Sequence, residues 1–355
     1  MVESGGAPTR PDSCHGTGGD RVSVQHPPGL LFDLLGWPDP AAGGPVCRFA
    51  DGGREFRAVV SPARPGRIGR ALAVLGRWAS RLPADRLPGL GRWLARLLAP
   101  ALRRRRRIAA RNLDLCFPES DRQARQHLLD DAMAGAMTAV LENLLAWYGD
   151  RDRILALGEV QGLHHLHAAL AQGRGALLLA SHQLPMELGA RILAERLGHR
   201  FDSLARRHTS AGLQAVVAAG RHRFIDRLLD KKDLRGVVRA LRENRIVVLI
   251  GDQDSNQLAE FVPFFGIPAS TLAITPALAR LSGAQVLPIW AWRPTPGRYV
   301  VEIEPALAGI ADAAPAQEAA RYMAALEARV RRWPAQYLWQ HRRFKTRPAG
   351  QPALY

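Results

Sequence analysis

Cysteine is scarce in this chain of 355 residues: Cys14, Cys47 and Cys116 stand far apart, with no C-x-x-C pair. Neither a disulfide framework nor a structural zinc site is indicated, and a reduced, cytosol-facing setting is expected. Lysine occurs only at 231, 232 and 345, so the 49 basic residues are nearly all arginine. No run of 18 or more apolar residues occurs, which argues against a membrane-spanning helix. The N-terminus lacks the basic head, apolar core and small-residue cleavage site of a secretory signal. A Gly-rich phosphate loop of the Walker or Rossmann type is missing as well.

What is present is positive charge: the formal net charge is +17, with only 32 acidic residues. Such a surface favours anionic partners, namely phosphates, an acidic lipid leaflet or nucleic acid. Nucleic acid is the least suited, because neither aromatic interleaving nor zinc-finger spacing accompanies the arginines. Residues 1–65 are rich in Gly, Pro, Ser and Asp without a sustained period and read as an extension outside the fold. From 67 to 102, Ile68, Leu72, Leu75, Leu82 and then Leu90, Trp93, Leu94 and Leu97 recur at helical spacing. Pro83 and Pro88 divide the stretch into two amphipathic helices, and "RRRRR" follows at 103–107. Trp and Leu on one face with Arg on the other suit the headgroup region of an anionic membrane, although such helices also serve as ordinary core covers.

A long helix over 121–148 precedes an alternation of short apolar runs and helical segments. Strands are expected at 176–181, 201–205, 246–251, 285–292 and 298–304, and helices near 186–197, 210–221, 233–243 and 271–282. The fold class is therefore α/β, a mostly parallel sheet flanked by helices, with its site at the carboxyl ends of the strands. His182 lies at one such end, and Asp252 and Asp254 at another.

In "HQLPMELGAR" (182–191), His182 and Glu187 are five positions apart and could not meet inside one regular helix. Pro185 suits a helix start, which leaves His182 in the loop, free to fold back onto Glu187 in the first turn. A carboxylate there would fix the imidazole tautomer and leave the other ring nitrogen to take a proton from a hydroxyl. The same spacing also suits a first-turn glutamate favoured by the helix dipole beside an unrelated histidine. "HHLH" at 164–167 puts two histidines one helical turn apart, but nothing supplies the remaining ligands of a metal site. Asp252 and Asp254 likewise have no further metal-ligand spacing around them.

Five segments together resemble the bacterial lipid A biosynthesis acyltransferases of the wider lysophospholipid acyltransferase superfamily. They are "RRRRRIAARNLDLCFPE" (103–119), "HQLPMELGAR" (182–191), "LDKKDLRG" (229–236), "DQDSN" with "FVPFFGIPAST" (252–271), and "QYLWQHRRFKTRP" (336–348). The resemblance implies a glycerolipid acyltransferase-like fold and transfer of a fatty acyl group from acyl-acyl carrier protein. The acceptor would be a hydroxyl of a lipid A precursor or similar phosphorylated or glycosylated lipid, at the cytoplasmic face of the inner membrane, with no metal or other cofactor. His182 and Glu187 take the catalytic positions, and Arg207, Asp252 and Asp254 those that hold substrate. Residues 66–115 become the membrane-associating helices, 116–348 the acyltransferase domain and 349–355 a tail. The chain departs from the family at Gln183, where an aromatic is common, at Gln253, where histidine is, and at "ARRH" in place of Tyr-Arg-Pro. These departures bear on the acceptor and the acyl chain, so another membrane phospholipid, glycolipid or amino-acid lipid is the alternative acceptor. A non-catalytic basic protein that binds membrane or nucleic acid is the rival from another class.

Overall fold

The computed structural model describes residues 67–205, 211–230 and 233–355. The expected N-terminal extension and Arg207 lie outside these described residues.

The molecule is organised by a seven-stranded sheet whose central strands are apolar on both faces. Strands β1 (Gly158–Gln161), β2 (Ala176–Ala180), β3 (Phe201–Ala205), β4 (Ile225–Asp230), β5 (Ile246–Ile250), β8 (Gln285–Thr295) and β9 (Arg298–Ile303) lie in the order β1-β9-β8-β2-β5-β3-β4. The five from β8 to β4 are mutually parallel, while β9 runs antiparallel to β8 and parallel to β1. Along β2, Leu177 and Leu179 join the core on one side and Ala176 and Leu178 the core on the other. The strand reads as a continuous apolar run, as parallel strands covered on both faces do.

Helix α1 (Arg67–Ala79) and α2 (Leu87–Leu97) precede α3 (Arg103–Cys116) and the 27-residue α4 (Arg122–Tyr148). The arginine run thus opens a helix of its own instead of extending α2. Asp121 caps α4 by accepting from the Ala124 N–H. From Leu129 to Trp147 this helix is buried on most sides, more than the single stripe its sequence suggests. Glu142, fully buried on it, is met by Arg293 of β8 at 2.7 Å, a pair that ties α4 to the sheet beside the carboxyl ends of the strands.

The short α5 (Arg151–Leu157) precedes β1; after β1 come α6 (Leu163–Leu170), then α7 (Met186–Leu197), α8 (Ala211–Arg221) and α9 (Leu234–Arg242) between the strands. A separate hairpin, β6 (Ala259–Phe264) and β7 (Ile267–Leu272), turns through Phe265 and Gly266, both at positive φ, as a two-residue hairpin loop requires. "FVPFFG" is therefore a hairpin whose Phe264 and Phe265 are buried. The helix expected over 271–282 begins only at Thr275, as α10 (Thr275–Ser282), because the preceding residues are used by β7. The last helix, α11 (Pro315–Arg332), leads into a C-terminal strap, residues 333–347, that crosses the strand ends.

Candidate functional site

The register of the sheet brings the site together. Ala180 of β2 pairs with Ile250 of β5, so the residues two places beyond, His182 and Asp252, emerge side by side. Asp252 Oδ2 accepts the His182 backbone N–H at 3.1 Å, and Oδ1 lies 2.6 Å from His182 Nδ1. Asp252 is fully buried, whereas the His182 side chain keeps 14% exposure. Burial alone would raise the Asp252 carboxyl, but the His182 charge and hydrogen bonds, with the Arg343 charge, outweigh it and hold it below the ordinary value. A neutral imidazole that donates from Nδ1 to this carboxylate leaves Nε2 as the acceptor, the arrangement a general base needs.

Glu187 is placed differently from the expectation that it pairs with His182. Pro185 is the N-cap and α7 starts at Met186, so Glu187 does sit in the first turn. Its carboxylate, however, accepts from Trp147 Nε1 of α4 at 3.2 Å and from Arg221 Nε at the end of α8 at 2.8 Å. The reason is topological: β5 supplies a carboxylate in register with the histidine, while the Arg221 fork draws Glu187 away.

Asp254 is committed as well. Its two oxygens accept from the Thr346 N–H and hydroxyl, each at 2.9 Å, and its own N–H donates to His341 Nε2 at 3.2 Å. Gln183 accepts the Ala291 N–H at 3.1 Å, a contact that extends the edge of β8 and that an aromatic side chain could not make. The strap completes the frame, because Leu184 N–H donates to Gln336 O at 2.8 Å and Leu338 N–H to His182 O at 3.2 Å. Nothing local in the sequence signals the contacts of Trp147 and Arg221, and Gln336, Tyr337 and His341 are marked only by their place in the "QYLWQHRRFKTRP" motif.

A small cavity of about 40 Å³ lies behind the His182 loop, between α7 and the sheet, lined by Ser181, Gln183, Met186, Leu193, Phe201 and Trp290. "HHLH" lies on α6, where the His164 and His165 rings meet tilted, with centroids 3.9 Å apart. Among the described residues no group of three His, Cys, Asp or Glu gathers to hold a metal.

His341 adds a pH dependence. Burial, then the positive charges of His182 and Arg343, hold its pKa down to about 3 from 6.5. Unfolded chains take up a proton there near pH 6.5 and the folded chain does not, so stability is level above that pH and falls as pH drops toward 3. At pH 5 the loss from this group is about 2 kcal/mol. Thermal midpoints measured from pH 7.5 down to pH 5 are expected to decline, and His341→Gln, which keeps an acceptor for the Asp254 N–H, to flatten the decline.

A sequence profile of bacterial lipid A biosynthesis acyltransferases matches residues 67–346. The lipid A biosynthesis palmitoleoyltransferase of Escherichia coli K12 is 34% identical over 290 residues, covering 80% of this chain and 92% of that protein. The lipid A biosynthesis lauroyltransferase of the same organism is 34% identical over 261 residues, 72% of this chain and 83% of its own length. A lipid A biosynthesis acyltransferase of Haemophilus influenzae is 35% identical over 262 residues, 71% and 81% of the two chains.

Proposed function

The chain belongs to the bacterial lipid A biosynthesis acyltransferase family, and from that premise we propose that it transfers a fatty acyl group from acyl-acyl carrier protein to a hydroxyl of a lipid A precursor or similar glycolipid. The observation that carries the reading is the 2.6 Å contact between His182 Nδ1 and the buried Asp252 carboxylate. His182 Nε2 takes the proton of the acceptor hydroxyl, whose oxygen attacks the thioester carbonyl. The tetrahedral intermediate collapses with cleavage of the C–S bond, and the imidazolium returns its proton to the departing thiolate. Asp252 orients the ring and stabilises the imidazolium. Glu187 acts at one remove, by fixing Arg221 and Trp147. Arg207 is assigned to the acceptor phosphate, for which its planar fork is suited. Asp254 secures the loop that carries Asp252.

The enzyme works, in this reading, as a peripheral protein on the cytoplasmic face of the inner membrane. Support comes from the exposed apolar side chains of Val74, Leu75 and Trp78 on α1 and of Trp93 and Leu97 on α2. Arg103, Arg104 and Arg107 follow closely on α3, exposed and without ion pairs among the described residues. Apolar anchors beside unpaired arginines fit an anionic headgroup layer. No helix among the described residues is long and apolar enough to cross a membrane.

The test uses purified full-length chain, acyl-acyl carrier proteins of several chain lengths, and acceptors in neutral or anionic vesicles. The expected result, read by mass spectrometry, is one acyl group added to the lipid A precursor, faster on anionic vesicles. Acylation of a phospholipid instead would move the acceptor assignment, and no acylated product with any acceptor would overturn the reading.

A further inference from the structure

We propose that the exposed face of α9, continued by the end of α10, is the docking surface for the acidic acyl carrier protein. The inference rests on the reading above that this protein carries the acyl donor.

The sequence of α9, "LRGVVRALR", places Arg235, Arg239 and Arg242 at i, i+4 and i+7, in one stripe along the helix. All three are exposed, while Val237, Ala240 and Leu241 on the opposite side enter the core with Val247 and Leu249 of β5. α10 lies alongside, and the Arg242 guanidinium clamps the two helices by donating to Leu281 O at 3.1 and 2.6 Å. Next to Leu281 stands the exposed Arg280, which donates to Ala311 O at 2.9 Å. The exposed Arg174 runs its stem past Gly283, just beyond the end of α10. Leu281 itself is 54% exposed among these arginines.

The patch has no counter-charge of its own. Neither helix carries an acidic residue, and the acids that flank α9 are already used: Asp233 caps the helix and Glu243 pairs with Arg227 at 3.2 Å. Among the described residues, Arg174, Arg235, Arg239, Arg242 and Arg280 meet no carboxylate. Arg242 and Arg280 spend donors only on carbonyl oxygens, which leave their charge whole. The nearby edge of the sheet is the opposite case, since Arg200, Arg227 and Arg245 are each paired with Asp202 or Asp226.

A fixed row of guanidinium groups one helical turn apart, with an apolar side chain among them, complements an acidic helix that presents carboxylates at the same spacing. The acyl carrier protein, small, helical and acidic, is such a partner. A lipid surface fits less well. α1, with the exposed Leu75 and Trp78, packs on α4 and α8, and α8 joins the core on the other face of the sheet through Val217. A bilayer met by α1 therefore does not reach α9. β4, whose carboxyl end precedes α9, lies three strands from β2, about 14 Å across the sheet. The flexible prosthetic arm of the carrier spans such a distance to bring the thioester to His182.

The experiment measures binding of apo acyl carrier protein, which lacks the arm, to the full chain and to the double variant Arg235→Glu, Arg239→Glu, by fluorescence anisotropy at several salt concentrations. The expected result is a Kd higher by about tenfold or more in the variant, with a shallower salt dependence. Its thermal midpoint and its flotation with anionic vesicles should match wild type. The neutral pair Arg235→Gln, Arg239→Gln should give an intermediate Kd. With acyl-acyl carrier protein as donor, KM should rise by a similar factor while kcat holds. A Kd equal in wild type and charge-reversed variant would overturn the proposal. So would a variant that keeps its carrier affinity but loses vesicle flotation, which would assign the patch to lipid. A wild-type chain that binds no carrier protein at low salt would instead overturn the donor reading on which the proposal rests.

Discussion

Replacing His182 with alanine is expected to lower kcat by about 10³–10⁴-fold, and Asp252→Asn to come within about tenfold of it, both without loss of the fold. The histidine is partly exposed and belongs to none of the apolar core clusters, so its removal leaves the core intact. The asparagine substitution keeps size and burial but reverses the hydrogen bond. An amide N–H facing Nδ1 makes Nδ1 the acceptor and puts the proton on Nε2, the nitrogen that has to receive one from the acceptor. The two substitutions act on one unit, so the double variant should be no slower than His182→Ala alone. Single-turnover acyl transfer, with thermal unfolding as the check on folding, measures all three. Retention of more than a tenth of wild-type turnover by His182→Ala would remove His182 as the base.

The pairing behind that prediction also marks the limit of what the sequence could say. Strands β2, β3, β5, β8 and β9 were legible because their apolar runs are bounded by turn residues, and the observed strands match the expected ranges closely. Strand β4, "IDRLLD", was not, since it is an edge strand whose polar residues break the apolar pattern. β1 is only four residues long and also lies at the edge. In the β6–β7 hairpin, Pro263 and Pro268 face one another, and proline normally argues against a strand.

The positions of His182 and Asp252 at strand ends were legible too, but their contact was not. β2 and β5 become neighbours only through crossovers that place β3 and β4 outside β5, and nothing local encodes that order. A glutamate five residues away in sequence was the visible partner, while an aspartate seventy residues away became the actual one. The strap was harder still. Its structure rests on side chains bonding backbone, as where Asn112 of α3 donates to Trp339 O and His341 O, each at 2.7 Å, and such contacts leave no periodic trace.

Glu187 should separate cleanly from Asp252 when both are altered. Glu187→Ala strips the Arg221 guanidinium of its carboxylate in a site where the two side chains are only 16% and 8% exposed. Breaking such a pair from one side typically costs about 3–5 kcal/mol, because the remaining charge is left uncompensated. In a chain of this size the thermal midpoint should fall on the order of 10 °C. Arg221→Ala should cost about as much, and the double variant less than the sum, since the uncompensated partner is gone. Glu187→Gln is the informative change, because it can keep the Trp147 bond at Oε2 while removing the charge. If Glu187 acts through Arg221 and the end of α8, this variant raises the acceptor KM and leaves the acid limb of the pH profile in place. An acid limb that moved with Glu187→Gln as it does with changes around Asp252 would mean that the glutamate reaches the histidine during turnover, and the division of labour between the two carboxylates would have to be redrawn.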